Sequence, residues 1–431
     1  MKEINLVGEV KNIKGMYTFN ISTSKRDEDS RVWLEYQQHG EVTAVEAEYD
    51  GDGKGCSFWT IKAELPKVCD CIIYGMSMGL CVTYGIMKKN GDSWIYTGEF
   101  SDYKIDIVSL KLTYNCNLKC SMCWQAKYKD QNKAFTGHMD YTNFLNTMEK
   151  LSFLAPSKIF LWGGEPLLHP NFADILKEVK TRRFMCNLIT NGILLEEKTE
   201  DILNGKLDTI CVSLDGLGEI HDSIRGVPGS YQRAITGLKY LLKNKSFRPI
   251  VSVNMVINDE NYQYLYETVK EFESLGVNGI QIQFPVYFDM KTGEVTAEYI
   301  KKSLGISIDK WKGFIGEYSS MDIEKLDKQL HMVKSQFNNV YLYPADISPY
   351  DWFGVKESNR KINCLTAWKR LNIEPNGDVN ICTDHSDMIA GNIYESRLEE
   401  IWNNRVFRSF RREAKNNNFM SMCQHCTYSY L

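Results

Sequence analysis

The chain has 431 residues, and at roughly 100 to 200 residues per domain this length predicts two to four domains. Hydrophobic residues make up 43% and charged residues 25%, an ordinary globular composition that excludes a disordered, collagen-like or coiled-coil chain. Lysine and arginine number 51 against 55 aspartates and glutamates, so the net charge of −4 provides no basic footprint and we expect no nucleic acid partner.

The opening segment, MKEINLVGEVKN, lacks the apolar core of a signal peptide, and no uninterrupted apolar run reaches the roughly 18 residues needed to cross a bilayer. We therefore expect a cytoplasmic protein with no membrane partner. Cytoplasmic thiols stay reduced, so the 13 cysteines favour metal binding over a disulfide framework. Seven of them form two spaced groups, and the other six, among them Cys186 and Cys211, are interpreted as small hydrophobic residues.

Residues 1–102 predict a β-sandwich-like accessory domain. Stretches such as RVWLEYQ and SFWTIKAEL alternate apolar and polar residues, and turn signals separate them. A module of this kind recognises a substrate or partner, or it only supports or dimerises the enzyme. Trp33, Trp59 and Trp94 either form a sugar-stacking face or lie in the core.

Residues 103–290 alternate apolar strands with amphipathic helices, which predicts an α/β fold with a parallel sheet, a partial (β/α)6 TIM-like barrel. The six strand candidates are IDIVSLKLT, KIFLWGG, MCNLITNG, TICVSLDG, IVSVNMVI and GIQIQFPV. Several end in chemically unusual residues, at the barrel end where active sites form. Residues 291–356 predict a helical connector, and residues 357–431 predict a small domain with a β-hairpin and a helix.

The first cysteine group, Cys116, Cys120 and Cys123, follows the first barrel strand with C-x3-C-x2-C spacing. Three thiolates in one loop suit three corners of an iron-sulfur cluster, whereas their short spacing gives poor disulfide geometry. A structural zinc site would need a fourth ligand, for which His138 is the only histidine nearby. Three ligands to a four-iron cluster leave one iron open, and chemistry would occur there.

This motif resembles the signature of the radical S-adenosylmethionine (radical SAM) superfamily, over roughly residues 105–290. The resemblance implies a 4Fe-4S cluster whose open iron chelates SAM. It also implies that an electron from the cluster cleaves SAM to a 5′-deoxyadenosyl radical, which abstracts a hydrogen atom from the substrate. Met122 stands where the family commonly has an aromatic residue.

Further motifs at the strand ends extend the resemblance. Gly163-Gly164-Glu165-Pro166 matches the family's GGEP motif, which implies that the Glu165 carboxylate binds the ammonium of SAM. The segment from His221 to Gly226 resembles H-D-x-x-R-G, in which the arginine binds the SAM carboxylate. The predicted SAM-binding residues are Gly163, Gly164, Glu165, Asn191, Ser213, Arg225, Asn254 and Val256.

The second cysteine group comprises Cys364, Cys382, Cys423 and Cys426. The turn from Glu374 to Asp378 predicts a hairpin between strands LNI and VNI. By their spacing, four thiolates suit zinc or an iron-sulfur cluster. Together with a helix at Ile401-Trp402-Asn403 the pattern resembles the SPASM/twitch extension of radical SAM enzymes, which implies one auxiliary 4Fe-4S cluster with four protein ligands.

The two groups together predict a radical SAM oxidoreductase whose auxiliary cluster accepts the electron left on the substrate. We expect a sugar or alcohol-bearing metabolite as substrate; the alternatives are a peptide or protein that is crosslinked or epimerised, and a non-catalytic iron-sulfur protein. Flavodoxin or ferredoxin is the expected reductant, and the basic run from Arg405 to Lys415 is a candidate docking helix. Asp378, Asp384 and His385 are candidates for a catalytic base.

Overall fold

The computed structural model describes most of the chain from residue 105 onward and the strands of the N-terminal region. The described ranges are 4–6, 11–13, 16–24, 31–38, 41–53, 56–64, 71–77, 81–90, 93–97, 105–131, 137–154, 158–316, 318, 320–345, 347–354, 364, 366–415 and 421–427. Within these ranges, no helix is long and apolar enough to cross a bilayer.

The N-terminal region forms two antiparallel sheets. The first contains β1, β2, β3, β6 and β7, and the second contains β4, β5, β8, β9 and β10. Their bounds are β1 Ile4–Leu6, β2 Lys11–Ile13, β3 Met16–Ser24, β4 Arg31–Gln38, β5 Glu41–Glu46, β6 Glu48–Gly53, β7 Cys56–Glu64, β8 Cys71–Ser77, β9 Cys81–Asn90 and β10 Ser93–Thr97.

Period-2 burial in these strands confirms the predicted sandwich-like arrangement. Along β3, Tyr17, Phe19 and Ile21 are buried while the residues between them are partly exposed. The sheets contact each other between β4 and β7 and between β1 and β9. Trp59 on β7 is buried beside Tyr49, with ring centroids 5.1 Å apart, so it belongs to the core and not to a sugar-stacking face. The side chains of Trp33 and Trp94 lie outside the described residues.

Seven parallel strands form the barrel sheet, in the order β17-β16-β15-β14-β13-β12-β11. Their bounds are β11 Ile107–Thr113, β12 Lys158–Gly163, β13 Met185–Thr190, β14 Thr209–Ser213, β15 Ile250–Val256, β16 Gly279–Gln283 and β17 Val340–Tyr343. The six predicted strands are therefore confirmed. The seventh, β17, comes from the segment predicted as a helical connector; it has only four residues, too few for a clear strand pattern, and it pairs with the edge of β16 that would otherwise be open.

Helices follow the strands and pack their apolar faces on the sheet. Phe144, Phe172 and Phe272 are fully buried members of this single core. The helices are α1 Trp124–Gln131, α2 Tyr141–Leu151, α3 Phe172–Thr181, α4 Leu195–Asn204, α5 Gly218–Arg225, α6 Ser230–Asn244, α7 Leu265–Ser274, α8 Met290–Leu304, α9 Ile323–Gln336, α10 Pro349–Trp352, α11 Thr366–Lys369, α12 Leu398–Trp402 and α13 Arg405–Lys415.

The C-terminal segment continues the barrel sheet. Strand β18 (Arg370–Ile373) pairs in parallel with β11, and β19 (Asp378–Asn380) and β20 (Ile389–Asn392) follow in antiparallel order. The predicted hairpin is confirmed, with Gly377 at φ +86° in its turn. At the other side of the barrel, the ring of His425 stacks on Tyr287 at 4.5 Å. The C-terminal segment therefore contacts both the first strand and the loop after the sixth.

A buried ion pair joins the hairpin to the barrel. The Lys111 ammonium on β11 lies 2.8 Å and 2.9 Å from the two carboxylate oxygens of Glu374, and both side chains are almost fully inaccessible. Tyr114 donates its hydroxyl to the same carboxylate at 2.9 Å. The ammonium also lies 4.7 Å from the ring centroid of Trp162, which provides a cation–π contact. The pair fixes the position of the hairpin against β11.

We expect Lys111→Met to lower the free energy of unfolding by about 3–5 kcal/mol, because it leaves the Glu374 carboxylate buried without its cation. The double variant Lys111→Met/Glu374→Gln should lose less, since the glutamine still accepts from Tyr114. Urea denaturation followed by circular dichroism measures both. The matched control is Lys369→Met, which removes an exposed pair with Asp106 and should cost under about 1 kcal/mol. A double variant less stable than Lys111→Met would contradict the account.

Candidate active site

The cysteine loop after β11 lines a cavity of about 720 Å³, within the usual size range of ligand sites. Cys116, Cys120 and Cys123 all contribute to its wall. The loop is held by helix α5, because the Lys119 amide donates to the Arg225 carbonyl at 3.1 Å and the Ser121 amide donates to the Ile224 carbonyl at 2.9 Å. The three thiols are therefore positioned by a neighbouring helix end and not by the loop alone.

Gly226 makes this contact possible. It ends α5 in the left-handed conformation, with φ +69°. A Cβ atom at this position would lie 2.5 Å from the carbonyl oxygen of Lys119, closer than any real contact. The glycine of the H-D-x-x-R-G segment thus permits the close approach of the cysteine loop.

The glycines of the GGEP motif also permit a close approach of the cysteine loop, here to the end of β12. The Gly164 amide donates to the Thr113 carbonyl at 2.8 Å, and the Glu165 amide donates to the Asn115 carbonyl at 2.7 Å. A Cβ atom at Gly164 would lie 2.1 Å from the Asn115 oxygen. Gly163 and Gly164 both line the cavity, and their contact with SAM remains a prediction.

Glu165 lies behind the described cavity wall, fully buried. Its carboxylate accepts from the Thr190 hydroxyl at 2.7 Å and from the Asn191 amide at 2.7 Å. Burial raises its pKa to about 7. Its contact with the SAM ammonium remains a prediction. The Glu165 carboxylate thus anchors the backbone of Asn191. The side-chain nitrogen of Asn191 donates to the Asn117 side chain in the cysteine loop at 2.7 Å, and Asn191 lines the cavity.

Arg225 places a buried guanidinium in the cavity wall, which Lys119 and Lys127 also line. One guanidinium nitrogen lies 2.6 Å from the Asp215 carboxylate, and another lies 3.8 Å from the Cys120 sulfur. Asp215 in turn accepts from the Val256 amide at 2.8 Å. Burial raises the pKa of Cys120 to about 11, and the nearby guanidinium opposes that rise. A buried cation here suits both thiolate ligands and an anionic carboxylate group of a ligand.

Two residues of the same segment have structural roles that the sequence did not reveal. His221 accepts the Asp215 amide at Nδ1, 3.2 Å away. Burial, with the Arg225 charge, lowers the pKa of His221 to about 3, so the ring is neutral. Asp222 accepts from the amides of Gly229 and Tyr231 at the start of α6. The motif thus supports the strand end and the next helix.

The remaining predicted SAM contacts also lie at this cavity. Ser213, Asn254 and Val256 contribute to its wall, and so do Tyr114 and Trp162, which the sequence did not single out. The Asn254 side-chain oxygen is buried with no hydrogen-bond partner among the described residues, as expected where a ligand or water completes the site. Three thiols, one guanidinium and these polar groups fit a 4Fe-4S cluster with an open iron and a bound SAM.

The second cysteine group lines its own small cavity. Cys364, Cys382, Cys423 and Cys426 share it with Asp384 and His385, among others. Burial, followed by the Asp384 charge, raises the pKa of Cys382 and of Cys426 well above the usual value. Four thiols around one cavity fit a cluster with only protein ligands. In the described ranges, no three His, Cys, Asp or Glu side chains are arranged to hold a single metal ion.

The three candidate bases do not lie at the described wall of the first cavity. Asp378 is held in the hairpin turn by the side-chain amides of Asn376 and Asn392, at 2.7 Å and 3.0 Å. Asp384 accepts from the Cys426 thiol at 3.5 Å, and His385 packs on Phe314, with ring centroids 5.2 Å apart. A role for any of them as a base remains a prediction. Cys186 and Cys211 are buried in strands, which confirms their assignment to the core.

Family models match the two segments that carry the cysteine groups. The model of the radical SAM superfamily matches residues 110–272, and that of an iron-sulfur cluster-binding domain, SPASM, matches residues 364–427. The chain belongs to the radical SAM superfamily. This radical SAM enzyme therefore uses SAM and a 4Fe-4S cluster, and its SPASM domain adds iron-sulfur binding.

Three curated relatives share parts of this radical SAM enzyme. It is 30% identical over 182 residues to the tungsten-containing aldehyde ferredoxin oxidoreductase cofactor-modifying protein of Pyrococcus furiosus, covering 40% of this chain and 49% of that protein. It is 22% identical to the AdoMet-dependent heme synthase of Oleidesulfovibrio alaskensis, over 75% of this chain and 80% of that protein. It is 25% identical to the antilisterial bacteriocin subtilosin biosynthesis protein AlbA of Bacillus subtilis, over 68% of this chain and 59% of that protein. The chain thus spans only about half of the first relative.

Among solved structures, SuiB of Streptococcus suis bound to the precursor peptide SuiA has a TM-score of 0.52 to this radical SAM enzyme. The match covers 71% of this chain and 66% of that chain at 15% sequence identity. At that identity the likeness shows a common fold and nothing more.

We expect Gly226→Ala to impair loading of the first cluster, because the added methyl group meets the Lys119 carbonyl and the left-handed backbone disfavours alanine. Iron should fall from about eight to about four atoms per chain, with the SAM-dependent change in the electron paramagnetic resonance spectrum lost. The control is Gly218→Ala, at φ +51° with open space around it, which should keep both clusters. Full iron content in Gly226→Ala would refute the packing role of Gly226.

Proposed function

We propose that this radical SAM enzyme is an oxidoreductase that removes a hydrogen atom from a substrate carbon and then takes up the remaining electron at the four-cysteine site. The observation that supports this most is the attachment of that site to the barrel. Strand β18 pairs with β11, the strand that leads into the cysteine loop, and Lys111 pairs with Glu374 across the same junction. The two cysteine groups are thereby held by one shared strand.

When bound, SAM and its cluster supply a 5′-deoxyadenosyl radical that abstracts a substrate hydrogen atom. The chain's own residues bind and orient these groups. Cys116, Cys120 and Cys123 would hold three irons, and Arg225, oriented by Asp215, would pair with the SAM carboxylate. The substrate loses one hydrogen atom, one electron and one proton in total, which is a two-electron oxidation.

For the substrate we propose a peptide. AlbA, which matches 68% of this chain, is named for the biosynthesis of a bacteriocin, and bacteriocins are peptides. The burial of Trp59 removes one of the three indoles on which the expected sugar-stacking face depended. A sugar or alcohol-bearing metabolite remains the second candidate, because a cavity of about 720 Å³ also accommodates a small molecule beside SAM.

The remaining assignments follow from the same chemistry. We propose flavodoxin or ferredoxin as the reductant and the cytoplasm as the location, since reduced thiols are needed to hold both clusters. Residues 1–102 would act as an accessory unit, 103–290 as the radical-generating barrel, 291–356 as a connector that also supplies β17, and 357–431 as the auxiliary cluster unit.

The enzymatic activity is tested by anaerobic reconstitution with iron and sulfide, followed by dithionite and SAM. We expect 5′-deoxyadenosine, measured by chromatography. The variant Cys116→Ala/Cys120→Ala/Cys123→Ala should abolish it, whereas Cys382→Ala should retain it and lose oxidised product. The matched control is Cys211→Ala, which removes a core thiol outside both cysteine groups. It should still form both 5′-deoxyadenosine and the oxidised product. Absence of 5′-deoxyadenosine from the wild-type enzyme, even with candidate substrates, would leave a non-catalytic iron-sulfur protein.

The substrate class is tested by adding candidates to the reconstituted enzyme. A short precursor peptide encoded beside the gene should accelerate 5′-deoxyadenosine formation and lose the mass of two hydrogen atoms, because the oxidation removes two electrons and two protons overall. Mass spectrometry measures both products. If only sugars or alcohol-bearing metabolites accelerate the reaction, the peptide proposal is wrong and the metabolite is the substrate.

A further inference from the structure

Helix α13 carries concentrated positive charge on a chain that is acidic as a whole. Its 11 residues, RVFRSFRREAK, include five basic side chains and one acidic one, whereas the net charge of the chain is −4. Arg405, Arg408 and Arg412 are exposed. Their spacing of three and four residues puts them on one side of the helix. We call this set the arginine face.

The opposite side of α13 backs the auxiliary site. Phe407 and Phe410 are buried there, and Phe410 lines the small cavity that the four cysteines of the second group share. The arginine face is therefore separated from that cavity by about one helix diameter, ~10 Å. Among the described helices, α13 thus combines an exposed basic face with a side chain in the wall of the cluster site.

Two contacts fix α13 so that the arginine face points outward. Arg411 donates to the Trp402 carbonyl at 2.8 Å, and its guanidinium lies 4.5 Å from the centre of the Trp402 ring. The single acidic residue, Glu413, accepts from the Tyr299 hydroxyl of α8 at 2.7 Å. The fourth arginine and the acid thus hold the helix. The other three arginines face solvent, and of these Arg412 also lies 3.6 Å from the Glu413 carboxylate while remaining exposed.

We propose that the arginine face docks an acidic one-electron carrier protein, which exchanges electrons with the enzyme at the auxiliary site. This inference rests on the proposed function, in which the four cysteines hold a redox cluster. One electron passes in each exchange and no bond is formed or broken. In turnover the carrier removes the electron that the four-cysteine site takes from the substrate, and a reduced carrier can reduce the site in the reverse direction. Opposite charges steer the encounter of the two proteins. The thickness of a single helix then separates the docked carrier from the cysteines.

The test uses the full chain with Cys116, Cys120 and Cys123 changed to alanine, so that only the auxiliary cluster is present. Anaerobic stopped-flow mixing with an acidic flavodoxin in its hydroquinone form follows the bleaching of cluster absorbance. We expect Arg405→Glu/Arg408→Glu/Arg412→Glu to slow this reaction at least about tenfold at low ionic strength and to flatten its salt dependence. Reduction by photoreduced deazaflavin, a small neutral donor, should be unchanged.

The control carries the same charge change elsewhere. Lys325→Glu/Lys328→Glu/Lys334→Glu reverses three exposed lysines on α9, which contributes to neither cavity wall, and should react at close to the parental rate. Equal slowing in both triple variants, or none in the arginine variant, would overturn the docking proposal.

Loss of cluster from the glutamate variant would move the test to Arg408→Gln/Arg412→Gln, which removes two charges without reversing them. This variant should slow the flavodoxin reaction to an intermediate extent, and an unchanged rate would again overturn the proposal. A parental chain with no reducible cluster would instead refute the auxiliary site itself, and with it both proposals.

Discussion

The ammonium of Lys111, buried inside the barrel, is the constraint on which the arrangement of the two cysteine groups depends. A lysine at the centre of a buried strand requires a carboxylate, and in this chain the carboxylate comes from Glu374, on the hairpin of the other cysteine domain. The same strand, β11, leads into the cysteine loop at its carboxyl end and pairs with β18 along its edge. One strand therefore positions both sites, and neither can move without disturbing the buried pair.

The motifs that bind a cofactor in this family also act as packing elements in this chain. Gly164 and Gly226 both approach the cysteine loop closely, and each leaves room for a loop carbonyl oxygen that a side chain would displace. Glu165 and Asp215 are buried carboxylates that hold the neighbouring strand ends through backbone amides. Pre-organisation of this kind keeps Arg225 and the thiols in place before a ligand binds.

Much of the fold and of the candidate site was predictable from the sequence, because short-range sequence patterns determine these features. The six barrel strands, the hairpin around Gly377 and the two cysteine groups follow from periodicity, turn residues and spacing. Strand β17 did not, since four residues in an aromatic patch give no clear period. The partnership of Lys111 with Glu374 spans 263 residues and was missed, although a lysine inside the apolar run IVSLKLT was a signal that a buried acid lay elsewhere. The roles of His221 and Asp222 depend on loop geometry that sequence spacing does not specify.

The most direct test of the account is the Mössbauer spectrum of the wild-type chain loaded with isotopically enriched iron, recorded with and without SAM. Two cysteine groups of three and four ligands predict two 4Fe-4S components of equal area, because each group holds one cluster. They also predict that SAM alters only one component, since only the three-cysteine group leaves an iron open. A single cluster component, or a spectrum that SAM does not change, would contradict the account.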